Sequence, residues 1–337
     1  MTTFATATGI GSWPGESARE AAEIVVGELG GTLAHLVELP ARGVGADIIG
    51  RTGALLVDIA IDTVPRGYRI VARPGRVARR AASLLDEDID ALEEAWEIAG
   101  LGGSQRPVKV QAAGPITLAA QLELPNGHRA ITDPGAVRDL TASLAEGVAL
   151  HRVELARRLS TTVVVQFDEP LLAVALAGRL TGVTSMSPVH PIDESLATEL
   201  LDICVAAVGT EVAIHSCAPE IPWKILARST ISAVSVDVAT LKPADLDGIG
   251  EFVEGGRTVL LGVVPTTTPA KRPDVEEVAR AAAEVTDRLG FPRAVLAERI
   301  GVTPTCGLAG ATVAWARTAL GLVHKAADAF AEDPEAV

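Results

Sequence analysis

Eight short β-rich runs, separated by stretches of helical periodicity, constrain this chain more than any other feature of its sequence. They fall at 9–12, 34–38, 108–113, 162–168, 211–217, 232–237, 258–264 and 300–306, each bounded by turn residues. The intervals between them are helical in pattern. In ESAREAAEIVVGEL, for example, Ala18, Ala21, Ala22, Val25 and Leu29 recur at spacings of three and four, and Gly30 and Gly31 close the run. Strand and helix alternating eight times, with no internal repeat or low-complexity linker, predict one (β/α)8 TIM barrel spanning residues 1–337. Composition agrees: 48% of residues are apolar but only 3% aromatic, so the filling is Ala, Val, Leu and Ile, which suits parallel strands buried on both faces.

One interval is too long for the minimal unit. Between the second and third strands, ALLVDIAIDTVPRGYRIVARPG reads as a β-hairpin insertion with its turn near Pro65–Gly67. The acidic SLLDEDIDALEEAWEIAG then completes the unit as a helix, with Leu85, Ile89, Leu92 and Trp96 on one face. Its charges belong to a solvated helix face.

The net charge of −14, from 43 acidic and 29 basic residues, repels phosphodiester backbones and anionic membranes. Nucleic acid is therefore excluded as the main partner. The start, MTTFATATGIGSWPG, lacks the basic-then-apolar layout of a secretory leader, and no run approaches the roughly 18 apolar residues of a membrane span. A cytoplasmic protein with no membrane partner is expected.

In such a barrel the chemistry gathers at the C-terminal ends of the strands. The sequence places Ser12, Glu38, the Gly114–Pro115 turn, Asp168 with Glu169, His215 with Cys217, Asp237 and Cys306 there. In VAIHSCAPE, His215 and Cys217 stand two residues apart, so a strand aims both side chains the same way. Alone, such a pair is more readily an ordinary strand end than half of a metal site. Cys306, in TPTCGLAG, adds a third group at the same rim, and Asp237 is a candidate fourth. Two thiolates and an imidazole form a borderline-soft donor set suited to Zn2+. Three widely spaced cysteines make no disulfide framework, and Cys204, within ELLDICVAAV, reads as a small buried hydrophobe. A zinc with three strong ligands keeps one replaceable position. It could take a substrate thiol and turn it into an alkylatable thiolate, or activate water for hydrolysis.

Together these segments resemble the catalytic barrel of cobalamin-independent methionine synthase, within the wider group of uroporphyrinogen decarboxylase and the coenzyme M methyltransferases. The resemblance rests on IGSWP (10–14), HLVELPARG (35–43), AAGPITLAAQL (112–122), QFDEP (166–170), IHSC (214–217), VSVDVA (234–239) and TPTCGLAG (303–310), in that order along the whole chain. It implies a zinc-dependent thiol methyltransferase that methylates homocysteine to methionine. Carried over by position, the zinc ligands are His215, Cys217 and Cys306, with Asp237 where most members have Glu. The Ile10–Ser12 loop would hold the substrate carboxylate, and Glu38 and Asp168 would face its ammonium group. Backbone N–H groups and a hydroxyl suit the anion, and two carboxylates suit the cation.

Three further departures from the family pattern all concern the methyl donor. The full-length enzymes carry a second, N-terminal barrel that these 337 residues do not contain. After the seventh strand, GVVPTTTPAKRP has no histidine, and LLAVALAG beyond the DEP motif has no carboxylate. The expected donor is accordingly methylcobalamin or a methylated corrinoid protein rather than methyltetrahydrofolate. Two alternatives stand beside this: methyl transfer to another thiol such as coenzyme M, and a zinc-binding barrel that has lost catalysis. Coenzyme M, which carries a sulfonate and no ammonium, gains nothing from Glu38 and Asp168.

Overall fold

The computed structural model describes residues 2–182 and 188–337. Its strands are β1 (Ala34–His35), β2 (Ala60–Val64), β3 (Gly67–Val71), β4 (Val108–Ala113), β5 (Leu122–Glu123), β6 (Val163–Asp168), β7 (Val212–Ser216), β8 (Ala233–Asp237), β9 (Thr258–Val264) and β10 (Ile300–Pro304). Seven of them form one sheet in the order β1-β4-β6-β7-β8-β9-β10, with every neighbouring pair parallel. Parallel neighbours that follow one another in the chain need a crossover each time, and helices supply it. The sheet curves into a half-barrel, consistent with a TIM-like barrel. β4 and β6 are buried at every position, as strands covered on both faces must be.

Sequence also places the helix boundaries. Ser17 accepts the Glu20 N–H to start the Ala18–Leu29 helix, whose Ala18, Ala21, Ala22, Val25 and Leu29 are all buried. The acidic helix runs from Arg76 to Ile98, beginning seven residues before the expected segment, and buries Leu85, Ile89, Leu92 and Trp96. β2 and β3 pair antiparallel from Ala60–Val71 to Val64–Gly67, and β3 continues into a parallel pairing with β5. Among the described residues no helix is long and apolar enough to cross a membrane.

Two expected strands come out differently. Residues 9–12 form no strand; single parallel bridges tie Ala7 to Val302, Thr8 to Leu33 and Ser12 to Glu38. Glycine explains the irregularity. A Cβ on Gly9 would collide with the His35 ring, and Gly11 sits at φ +151° with Gln111 Cγ 2.8 Å from where its Cβ would be. The second run, 34–38, shortens to Ala34–His35 because Glu38 is drawn to the N-terminal segment: its N–H donates to Gly11 O at 3.1 Å, and its carbonyl accepts the Trp13 N–H at 2.8 Å. The runs at 211–217 and 300–306 end at Ser216 and Pro304, just before their cysteines.

The N-terminal segment approaches β10 closely because residue 301 has no side chain. A methyl group on Gly301 would press on the Phe4 carbonyl, 2.9 Å from Leu260 Cγ and 3.0 Å from Thr6 O. Gly301→Ala is therefore expected to destabilise the protein by about 1–3 kcal/mol, as overpacking of a rigid site does. The denaturation midpoint checks this; an unchanged midpoint would mean that the segment yields freely.

Candidate active site

Parallel register gathers the polar side chains. Asp168, the last residue of β6, is registered with His215 of β7, and His215 with Ser235 of β8. That pairing lets His215 Nδ1 meet Ser235 Oγ at 3.0 Å, which leaves Nε2 facing Cys306 Sγ at 3.6 Å. Cys217 follows β7 by one residue and Cys306 follows β10 by two, so loops rather than strands carry both sulfurs. The sulfurs lie 3.0 Å apart. His215 is buried, while both cysteines are half-buried and open to a ligand.

The ligand atoms of His215, Cys217 and Cys306 all lie within 4.8 Å of one another. A tetrahedral ion with bonds of about 2.0–2.3 Å needs its ligands roughly 3.3–3.8 Å apart, so slight opening of the sulfur pair would fit these donors to zinc. The pair is also prepared electrostatically. Two thiols in contact share one proton: the hydrogen bond from Cys306, then that from His215, lowers Cys217 to about 4, while Cys306 moves up. One thiolate is thus present at neutral pH. Cys204 lies apart in the Glu194–Val208 helix, fully buried, and burial raises its thiol pKa.

Asp237, the expected fourth ligand, stands outside this cluster of three. Its Oδ1 accepts the Ala239 N–H at 2.9 Å and caps the short Val238–Thr240 helix. A carboxylate one carbon shorter than glutamate is committed to its own backbone here.

Beside the cluster lie the two carboxylates expected to face an ammonium group. Glu38 and Asp168 are only 5% and 6% exposed, so each faces a closed interior. Burial pushes Glu38 up to about 7 against the pull of Arg51, and burial also raises Asp168. Glu38 Oε1 has no hydrogen-bond partner, a buried acceptor with room for a donor. The Ile10–Ser12 loop adjoins both groups of residues: Ser12 bridges Glu38, and its carbonyl accepts the Leu308 N–H at 2.8 Å, two residues beyond Cys306.

Several polar residues here were given no role by the sequence reading. Lys109 and Gln111 project from β4, with Nζ donating to Ile10 O and Gln166 Oε1, and Gln111 Nε2 donating to Leu36 O. Arg51 lies 4.0 Å from Glu38 and bonds the fully buried Asp88, which Arg42 also pairs at 2.6 Å. Glu169 is fully buried and accepts the N–H groups of Ile116 and Thr117, each at 2.8 Å, so the DEP motif braces the Pro115–Gln121 helix. The signal for Lys109 and Gln111 was available: polar residues two apart within an otherwise apolar strand, VKVQAA, share one face.

Comparison with known proteins follows the same lines. The family model for the catalytic domain of cobalamin-independent synthase matches residues 4–329. Among solved structures, a B12-independent methionine synthase from Shewanella sp. W3-18-1, in complex with selenomethionine, is similar with a TM-score of 0.61 at 15% identity, over 99% of both chains. A methyltransferase from Methanosarcina mazei is similar with a TM-score of 0.54 at 15% identity, over 94% of this chain and 84% of that one. At that identity the likeness is one of fold. No curated protein matches the chain. Because the family model spans nearly all of the sequence, this chain belongs to the cobalamin-independent synthase family, through its catalytic domain.

Proposed function

We propose that this protein is a zinc-dependent methyltransferase that methylates the thiol of homocysteine to give methionine. The observation that carries the reading is the His215–Cys217–Cys306 cluster beside two buried carboxylates, one with an oxygen that accepts no hydrogen bond. His215, Cys217 and Cys306 would hold the ion, with the hydrogen bond to Ser235 fixing the ring. Asp237 caps Ala239 through Oδ1 and stands outside the three-residue cluster, so this reading gives the fourth position to substrate sulfur. When bound there, zinc lowers the pKa of a substrate thiol into the neutral range.

The rest is done by the chain itself. The Ile10–Ser12 loop receives the substrate carboxylate, while Glu38 and Asp168 take its ammonium group, so the sulfur end points toward the cysteines. In the same reading the single bridges at Ala7, Thr8 and Ser12 complete an eight-stranded barrel, and the β2–β3 hairpin is an insertion beside its mouth. The whole chain then works as one domain.

For the donor, one sequence fact favours a corrinoid. No histidine occurs among Val264–Lys271, so no imidazole there can protonate a departing folate. A methylcorrinoid needs no such proton: its cobalt–carbon pair leaves with cobalt as the sulfur–methyl bond forms. The test supplies zinc-loaded protein and homocysteine with methylcobalamin or with methyltetrahydrofolate and measures methionine. Methionine from methylcobalamin supports the reading. Methionine from the folate alone overturns the donor, and none from either overturns the function; a parallel assay with coenzyme M in place of homocysteine that gives methylated coenzyme M would favour another thiol.

A further inference from the structure

Lys109 is the second residue of β4 and is completely buried. Taking an ammonium group out of water costs several kcal/mol unless its surroundings compensate, so a lysine at this position needs a reason. Its hydrogen bonds do not go to a carboxylate: Nζ donates to the Ile10 carbonyl at 2.9 Å and to Gln166 Oε1 at 2.5 Å. Gln166 in turn donates through Nε2 to the same Ile10 carbonyl at 2.9 Å and to Asp168 Oδ1 at 2.7 Å. Two donors thus converge on one backbone oxygen, one of them a lysine whose pKa burial lowers to about 7. Glu38 and Asp168 both favour the charged state of Lys109 against its burial.

Ile10 C=O and Gly11 N–H belong to one peptide unit. Among the described residues no peptide bond is cis, so in this planar trans unit the N–H points opposite to the carbonyl. Drawing the Ile10 oxygen to Lys109 and Gln166 turns the Gly11 N–H the other way. That N–H has no hydrogen-bond partner among the described residues. Gln111 packs against Gly11 so closely that its Cγ and Cδ lie 2.8 and 2.9 Å from the position of a Cβ, which holds the turn in place.

We infer that Lys109 is a positioning residue for amino-acid recognition: by anchoring the Ile10 carbonyl it aims and polarises the Gly11 N–H as a donor to the substrate carboxylate. The inference rests on the proposed amino-acid site and adds a source for its anion selectivity. Lys109 does not touch the substrate; it acts through the peptide it holds.

The test measures calorimetric binding of three probes, methionine, its decarboxylated amine and its deaminated acid, to wild-type protein and K109M. Wild type should prefer methionine over the amine. K109M should bind methionine about 10-fold or more weakly while changing the amine less than about twofold, so the carboxylate preference collapses. Zinc content should stay at the wild-type level. K109Q, which keeps a polar group in the core, carries the same expectations should K109M fail to fold. Equal loss for methionine and the amine, or no loss for either, overturns the Lys109 role while leaving the amino-acid site standing. A wild-type protein that does not distinguish methionine from the amine overturns the amino-acid reading and the Lys109 role with it.

Discussion

Cys306→Ser is expected to lower kcat/KM for homocysteine methylation by roughly 10^3-fold or more, and to strip the protein of metal, while the fold is retained. Serine is isosteric, and the position is half-buried rather than core, so unfolding is not the route. What changes is donor chemistry: a hydroxyl does not ionise at neutral pH and is a poor partner for zinc beside Cys217 and His215. Without the ion, a substrate thiol of pKa about 8.5 is only a few per cent thiolate at neutral pH. Loss of positioning multiplies that deficit, since a misplacement of about 1 Å costs roughly 10^2-fold. The two factors together give the expected size. The measurement pairs steady-state methylation with metal analysis, and full activity in a metal-free Cys306→Ser protein would refute the role of the cluster.

Asp168→Asn and Glu38→Gln should act on the other half of the site. Each replaces a buried carboxyl group by a neutral amide of the same shape, so packing is kept and the charge-assisted hydrogen bond to the ammonium group is weakened. Such bonds are worth about 1.5–3 kcal/mol, which corresponds to roughly 10- to 150-fold in kcat/KM. The loss should fall mainly on KM for homocysteine, because the ammonium group is as charged in the ground state as in the transition state. Metal content should be unaffected. Deaminated homocysteine is the control: it should react poorly with wild type and no worse with either variant, as expected when protein and substrate changes remove the same contact. If the variants lose as much with the deaminated thiol, the carboxylates serve the fold or the metal instead of the amino group.

Local pattern encodes the central strands of this chain, while tertiary contact decides its first strand and its buried charges. β4, β6 and β9 lie within a residue of their expected ranges because continuous apolar runs between turn residues leave little choice. The first expected strand reduces to isolated bridges: Gly9 and Gly11 serve the close approach of His35 and Gln111, a requirement visible only once β1 and β4 are in place. His215, Cys217 and Cys306 could be named from their positions near strand ends, and they do converge. Asp237 is on the expected strand, but its Oδ1 caps Ala239 and it lies outside the His215–Cys217–Cys306 cluster. VKVQAA puts Lys109 on a polar face, but the roles of Lys109 and Arg51 are not legible in the sequence, because a buried cation makes sense only with its partners. Those partners, Ile10, Gln166 and Asp88, come from elsewhere in the chain.

The most direct test of the central claim is zinc stoichiometry in the purified protein, measured beside Cys217→Ala and Cys306→Ala. The account predicts about one zinc per chain in the wild type and loss of it in both variants, because removing either thiolate leaves too few ligands to hold the ion. No zinc in the wild type, or a full complement in either variant, would contradict it and reduce the His215–Cys217–Cys306 cluster to three neighbouring side chains.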